Sequence, residues 1–235
     1  MQNNNVFSSQ QEMDMQSGLN AYISKVFGTM FLGLLVTAIA AVFVVSSETL
    51  LKLFYGTPLI WLSIIAELVL VFALSARINK ISHTTALIMY YVYAVVNGIT
   101  LSSVFFVYGL GTIYTAFFTT AISFGVMAIY GMVTKKDLTR VGSILMMLLI
   151  GVIIASVINI FIGSEGFELI ISFVAVALFV GLVAYDTQKL KSYYYMSVND
   201  YQMQRKIGVM GALSLYLDFI NIFLYLLRIF ANRRD

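Results

Sequence analysis

The chain has 235 residues, 60% of them apolar and 11% charged, with a mean hydropathy of +0.92 and a net charge of +3. These values exclude a soluble globular protein, whose surface needs far more charge. With no cysteine there is no disulfide framework, thiol chemistry or thiolate metal site. The basic residues are spread over short loops and a tail without a nucleic-acid motif, so no nucleic-acid partner is expected.

Residues 1–24 are polar, rich in Gln and Asn, and carry Glu12 and Asp14 without a basic cluster. They read as a flexible tail, not a cleavable signal peptide. Residues 25–235 read as one transmembrane domain. A span needs about 20 apolar residues, and seven runs approach or reach that length: 26–46, 58–76, 85–107, 110–132, 141–162, 167–186 and 207–230. They lack the alternation of a membrane β-strand, so the fold class is an all-α integral membrane protein with seven transmembrane helices. The expected location is the cell (inner or plasma) membrane, with the lipid bilayer as first partner.

In the first helix small residues recur at Thr29, Gly33, Thr37 and Ala41, and in the fourth at Gly111, Thr115, Thr119 and Ser123. Such stripes let helix backbones approach closely in lipid, and both are expected to be packing faces. Helix two carries Glu67 near mid-span and Arg77 at its inner end, about 15 Å apart along the axis and too far to pair with each other. Glu67 could approach Arg228 or Asn221, and Arg77 could reach the aspartates described below. No charged residue lies between Thr84 and Thr134, so helices three and four are expected to join in a tight turn at Tyr108 to Gly111. Tyr193, Tyr194, Tyr195 and Tyr201 are expected in the loop between helices six and seven, as an interfacial belt.

Ten of the fourteen Lys and Arg residues fall on the side of the N-terminus. Basic residues are retained in the cytoplasm, so the N-terminus is expected inside and the C-terminus outside, with the basic stretch Arg228, Arg233 and Arg234 the feature least at ease there.

Two aspartates, Asp186 and Asp218, lie at or within the last two apolar runs. A carboxylate at membrane depth costs at least a few kcal/mol and marks a site facing a bundle interior, a partner or water. In helix seven Ser214, Asp218, Asn221, Tyr225 and Arg228 keep within an arc of about 80°, which makes one polar face opposite an apolar one. Helix six ends near Asp186, whereas Asp218 lies about 18 Å into helix seven. The two meet only if helix six continues past Asp186 through residues 187–192. The lack of Pro and Gly from Leu182 to Val198 permits that continuation. Two carboxylates within reach of each other share a proton and form a pH sensor.

The motifs Ala184-Tyr-Asp-Thr-Gln-Lys189 and Leu213-Ser-Leu-Tyr-Leu-Asp-Phe-Ile-Asn-Ile-Phe-Leu-Tyr-Leu-Leu-Arg228 carry a resemblance to the bacterial branch of the Bax inhibitor-1 family of membrane proteins, extending over the whole membrane portion. The resemblance implies a seventh helix surrounded by the other six. It also implies a pH-sensitive calcium leak gated by Asp186 and Asp218, with Arg77 as the arginine that locks the pair. Glu67 and Arg228 would form an outer gate, with Asn221 and Ser214 along the path. Calcium is a hard cation suited to carboxylate oxygens, and a weak site at Asp186 and Asp218 would release it readily, as conduction requires. Calcium ions and protons are then the expected partners, with no cofactor and no enzymatic activity.

Other readings stand beside this one. A non-conducting regulator would bind other membrane proteins, such as proteases or death-pathway factors, and a proton-coupled cation exchanger would use the same carboxylates. An intramembrane aspartyl protease also places aspartates on helices six and seven. Here Leu215 to Asp218 does not read Gly-x-Gly-Asp, and no Pro-Ala-Leu follows, because Pro58 is the single proline. Helix seven has no lysine for retinal.

Overall fold

A computed structural model of the chain describes residues 2–232, with side chains from residue 13 onward. Arg233 and Arg234 of the basic stretch, and the Glu12 side chain, lie outside the described residues. Among the described residues nine helices follow in order: α1 (Gln2–Val45), α2 (Glu48–Tyr55), α3 (Leu59–Arg77), α4 (His83–Leu101), α5 (Val104–Val107), α6 (Leu110–Val133), α7 (Thr139–Ile162), α8 (Glu165–Ser197) and α9 (Tyr201–Ala231). Seven stretches are long and apolar enough to cross a membrane: α1 from Met13, α3, α4 with α5, α6, α7, α8 and α9.

Helix boundaries follow local chemistry. Ser82 accepts from the Thr85 amide at 3.1 Å at the start of α4, and Asp200 accepts from the Met203 amide at 2.9 Å at the start of α9. Each satisfies a donor the first helical turn leaves free. Helix α7 stops at Gly163, the one described residue at positive φ (67°), and Ser164 then caps α8.

The expected tail is corrected for its described side chains. α1 is helical well before residue 25, and Leu19, Tyr22 and Ile23 are buried. With Val26 and Met30 they form an apolar face at helical spacing that average polarity conceals. The tyrosine belt is corrected too. α8 runs unbroken to Ser197, so Tyr193, Tyr194 and Tyr195 are helical, Tyr201 opens α9, and only residues 198–200 connect the two. Tyr194 is buried against Tyr22, with ring centroids 5.7 Å apart, in space left by Gly18.

α9 packs mainly against α8, then against α6, α1 and α4; α3 leans chiefly on α4, and α7 on α8. Its principal neighbours are therefore four of the six other spans. The first small-residue stripe is a packing face: a side chain at Gly33 would strike the Tyr90 hydroxyl, and Gly98 of α4 meets the backbone of Thr37. The second is corrected by one position. Gly111 and Thr115 are exposed, and the buried face of α6 is Thr112, Ala116, Thr120, Phe124 and Ala128. Gly131, at the end of that face, lies directly against the Ala184 carbonyl of α8.

Candidate functional site: the seam between the last two helices

Without a breaker after Leu182, α8 carries Asp186 deep enough to face α9. Asp186 is half-buried, Asp218 is 5% exposed, and Asp186 is the charge that acts on Asp218. The two aspartates singled out from sequence lie on helices that pack against each other, near enough for one to act on the other electrostatically. Asp218 Oδ2 is buried and has no hydrogen-bond partner, and neither has Thr187 Oγ1, beside Asp186. Buried polar atoms are rarely left unpaired, and those that are need a reason. Among the described residues no group of three histidine or acidic side chains converges. A cation at the seam would therefore meet at most two carboxylates.

The motif around Asp186 is used residue by residue. Ala184 offers its carbonyl face to Gly131 of α6, and the Tyr185 ring lies against Gly142 of α7. Gln188 accepts from the Leu138 amide and donates to the Lys136 carbonyl, both at 2.8 Å, which clips the α6–α7 loop to α8. Lys191 donates to the Met132 carbonyl. Lys189 Nζ sits between the Tyr185 and Tyr193 rings at 5.5 and 5.4 Å, a cation–π arrangement. It is also the cation that acts on Asp186. In the loop that Gln188 clips, exposed Asp137 accepts from Thr139, which holds its carboxyl below the usual range.

About two turns from the aspartates, toward the start of α8 and the end of α9, Phe179 and Tyr225 stack with centroids 6.2 Å apart at 25°. Beyond them Arg228 lies 3.6 Å from Glu168 and over the Tyr225 ring, beside a cavity of about 270 Å³ bordered by Tyr108 and Glu165. Ser214 and Asn221 are half-buried on the same helix, and Asn221 donates to its own helix at Leu217. Toward the start of α8 and the end of α9 the seam reads two aspartates, aromatic stack, ion pair.

Two expected partners differ. Arg77 is exposed at the end of α3 and makes no ion pair among the described residues. α3 packs chiefly on α4, and the cation that acts on Asp186 is Lys189. Glu67 does not reach Arg228 or Asn221. It accepts from Asn97 Nδ2 at 3.0 Å and from Thr100 Oγ1. Asn97 Oδ1 accepts from the Tyr216 hydroxyl at 2.8 Å, and that hydroxyl lies 2.6 Å from Thr37 Oγ1, which bonds the Ala94 carbonyl at 2.8 Å. The network ties α3, α4, α9 and α1 together. Its members Asn97, Tyr216 and Thr37 were not flagged as a set by sequence. Glu168, the actual outer partner of Arg228, lay at a span boundary.

Seven helices long and apolar enough to cross a membrane, among the described residues, define a multi-pass α-helical membrane protein. The family described as "Inhibitor of apoptosis-promoting Bax1" matches residues 19–235, and the chain belongs to that family, the Bax inhibitor-1 family. It is 43% identical over 221 residues to the inner membrane protein YbhL of Escherichia coli K12, covering 93% of this chain and 94% of that one. A Borreliella burgdorferi protein is 40% identical over 217 residues (92% and 94% covered), and a Rickettsia prowazekii protein 40% over 218 (93% and 92%).

Proposed function

We propose that the chain is a calcium leak whose conductance follows the protonation of the Asp186–Asp218 pair. The observation that carries this reading is the buried carboxylate of Asp218, unpartnered at Oδ2 and facing a second carboxylate on the neighbouring helix. Such a pair holds a proton in common, because two adjacent buried charges repel strongly. Loss of that proton leaves two negative charges on α8 and α9 and drives the helices apart. The same change offers oxygen ligands suited to a hard divalent cation. With only two carboxylates the ion is held loosely and leaves as readily as it arrives. The Phe179–Tyr225 stack and the Arg228–Glu168 pair stand in the outer part of the same seam and close it when α8 and α9 are together. Arg77 has no part in this scheme.

The test is calcium influx into proteoliposomes holding the purified chain, between about pH 5 and pH 8, with and without a protonophore. Flux above that of empty vesicles, changing with pH and unaffected by the protonophore, supports a leak. Flux abolished by the protonophore would make the protein a proton-coupled exchanger. No flux at any pH would favour a non-conducting regulator of other membrane proteins.

A further inference from the structure

A cavity of about 530 Å³ opens between α1, the start of α4 and the start of α9, on the face of the bundle that carries the α3–α4 and α8–α9 connections. Its polar end is bordered by Lys25, His83 and Arg205, one from each helix, with Gln204 beside them. Arg205 is close enough to His83 to act on it electrostatically. Neither Lys25 nor Arg205 has an ion-pair partner among the described residues. Tyr22, in the wall, is 7% exposed, and its hydroxyl is buried without a hydrogen-bond partner. Away from the charges the lining turns apolar, through Val26, Leu32 and Leu87, and Leu32 is half exposed on the outside of the bundle.

We propose that this cavity binds the headgroup of an anionic glycerophospholipid, with the phosphate among Lys25, His83 and Arg205 and an acyl chain along Leu32 and Leu87. Two cations, Lys25 and Arg205, and the His83 imidazole border the same end of the cavity from three helices, with no ion-pair partner for either cation among the described residues, and a phosphate there would supply the missing counter-charge while accepting their hydrogen bonds. The buried donor of Tyr22 lies in the wall beside Gly208, 3.9 Å from where a side chain there would begin. The apolar continuation separates a lipid from free phosphate, since inorganic phosphate would leave that half of the cavity empty. Bound lipid would join α1, α4 and α9 at the end of the bundle where α9 begins. The proposal does not depend on ion conduction.

The experiment is native mass spectrometry of the full chain released from mixed micelles containing equal phosphatidylglycerol and phosphatidylcholine, repeated with millimolar inorganic phosphate. One phosphatidylglycerol retained in preference to phosphatidylcholine, and not displaced by phosphate, is the expected result. Lys25→Ala with Arg205→Ala should lower that retention about tenfold or more. Equal retention of the two lipids by the unsubstituted chain would overturn the proposal whatever the variant does. Displacement by phosphate would overturn the lipid assignment and leave a simple anion site. A double variant that elutes as the folded chain and retains phosphatidylglycerol undiminished would also overturn it.

Discussion

Helix α9 carries two buried polar assemblies that differ in how far their members are satisfied. Around Tyr216, the hydroxyl, the Asn97 amide, Thr37 and the Glu67 carboxylate all have partners, reaching four helices. Around Asp218, one carboxylate oxygen and the neighbouring Thr187 hydroxyl have none. A fully satisfied network fixes helices in one arrangement, whereas an unsatisfied buried group holds free energy that a proton, an ion or a movement can release. On the proposed function, the first assembly is framework and the second is the place where the bundle changes state.

The sharpest way to break that comparison is to open the satisfied network. Asn97→Leu would strand the Tyr216 hydroxyl and one Glu67 oxygen, and should destabilise the fold by about 3 kcal/mol, read from reversible unfolding in mixed micelles. A loss below about 1 kcal/mol would mean that the network is not framework. Gly131→Leu, which drives a side chain into the Ala184 carbonyl, should cost about 2 kcal/mol in the same assay. A Cβ at Gly125 on the same helix would meet nothing within 4 Å, so Gly125→Ala should be nearly neutral. Asp218→Asn should leave stability within about 1 kcal/mol or raise it, because it removes a buried carboxylate instead of a paired group. Arg228→Ala should cost under about 1 kcal/mol, since both partners of its ion pair are more than two-fifths exposed.

What was legible in the sequence follows the same division. Asp186 and Asp218 stood out because a carboxylate inside an apolar run has few bland explanations, and the extension of α8 that brings them together was legible in its lack of Pro and Gly. The satisfied network was not, because Thr37, Asn97 and Tyr216 are each ordinary in a span and gain meaning only through the crossing of α1, α4 and α9. Glu67 was noticed, but its partner depends on the register of α3 against α4. On α6 two neighbouring stripes, Gly111-Thr115-Thr119 and Thr112-Ala116-Thr120, both hold small residues at four-residue spacing. Only contact with α8 and α9 selects the second. The buried residues Leu19, Tyr22 and Ile23 of α1 were hidden by the polar residues around them.

The central claim is that the Asp186–Asp218 pair, and not the bundle at large, sets the response to pH. The most direct measurement is the pH profile of calcium influx into proteoliposomes for the Asp218→Asn chain beside the unsubstituted one, between about pH 5 and pH 8. A flux that no longer varies with pH in the variant, from protein as stable as the original, is the predicted result. An unchanged pH profile in Asp218→Asn would contradict the account.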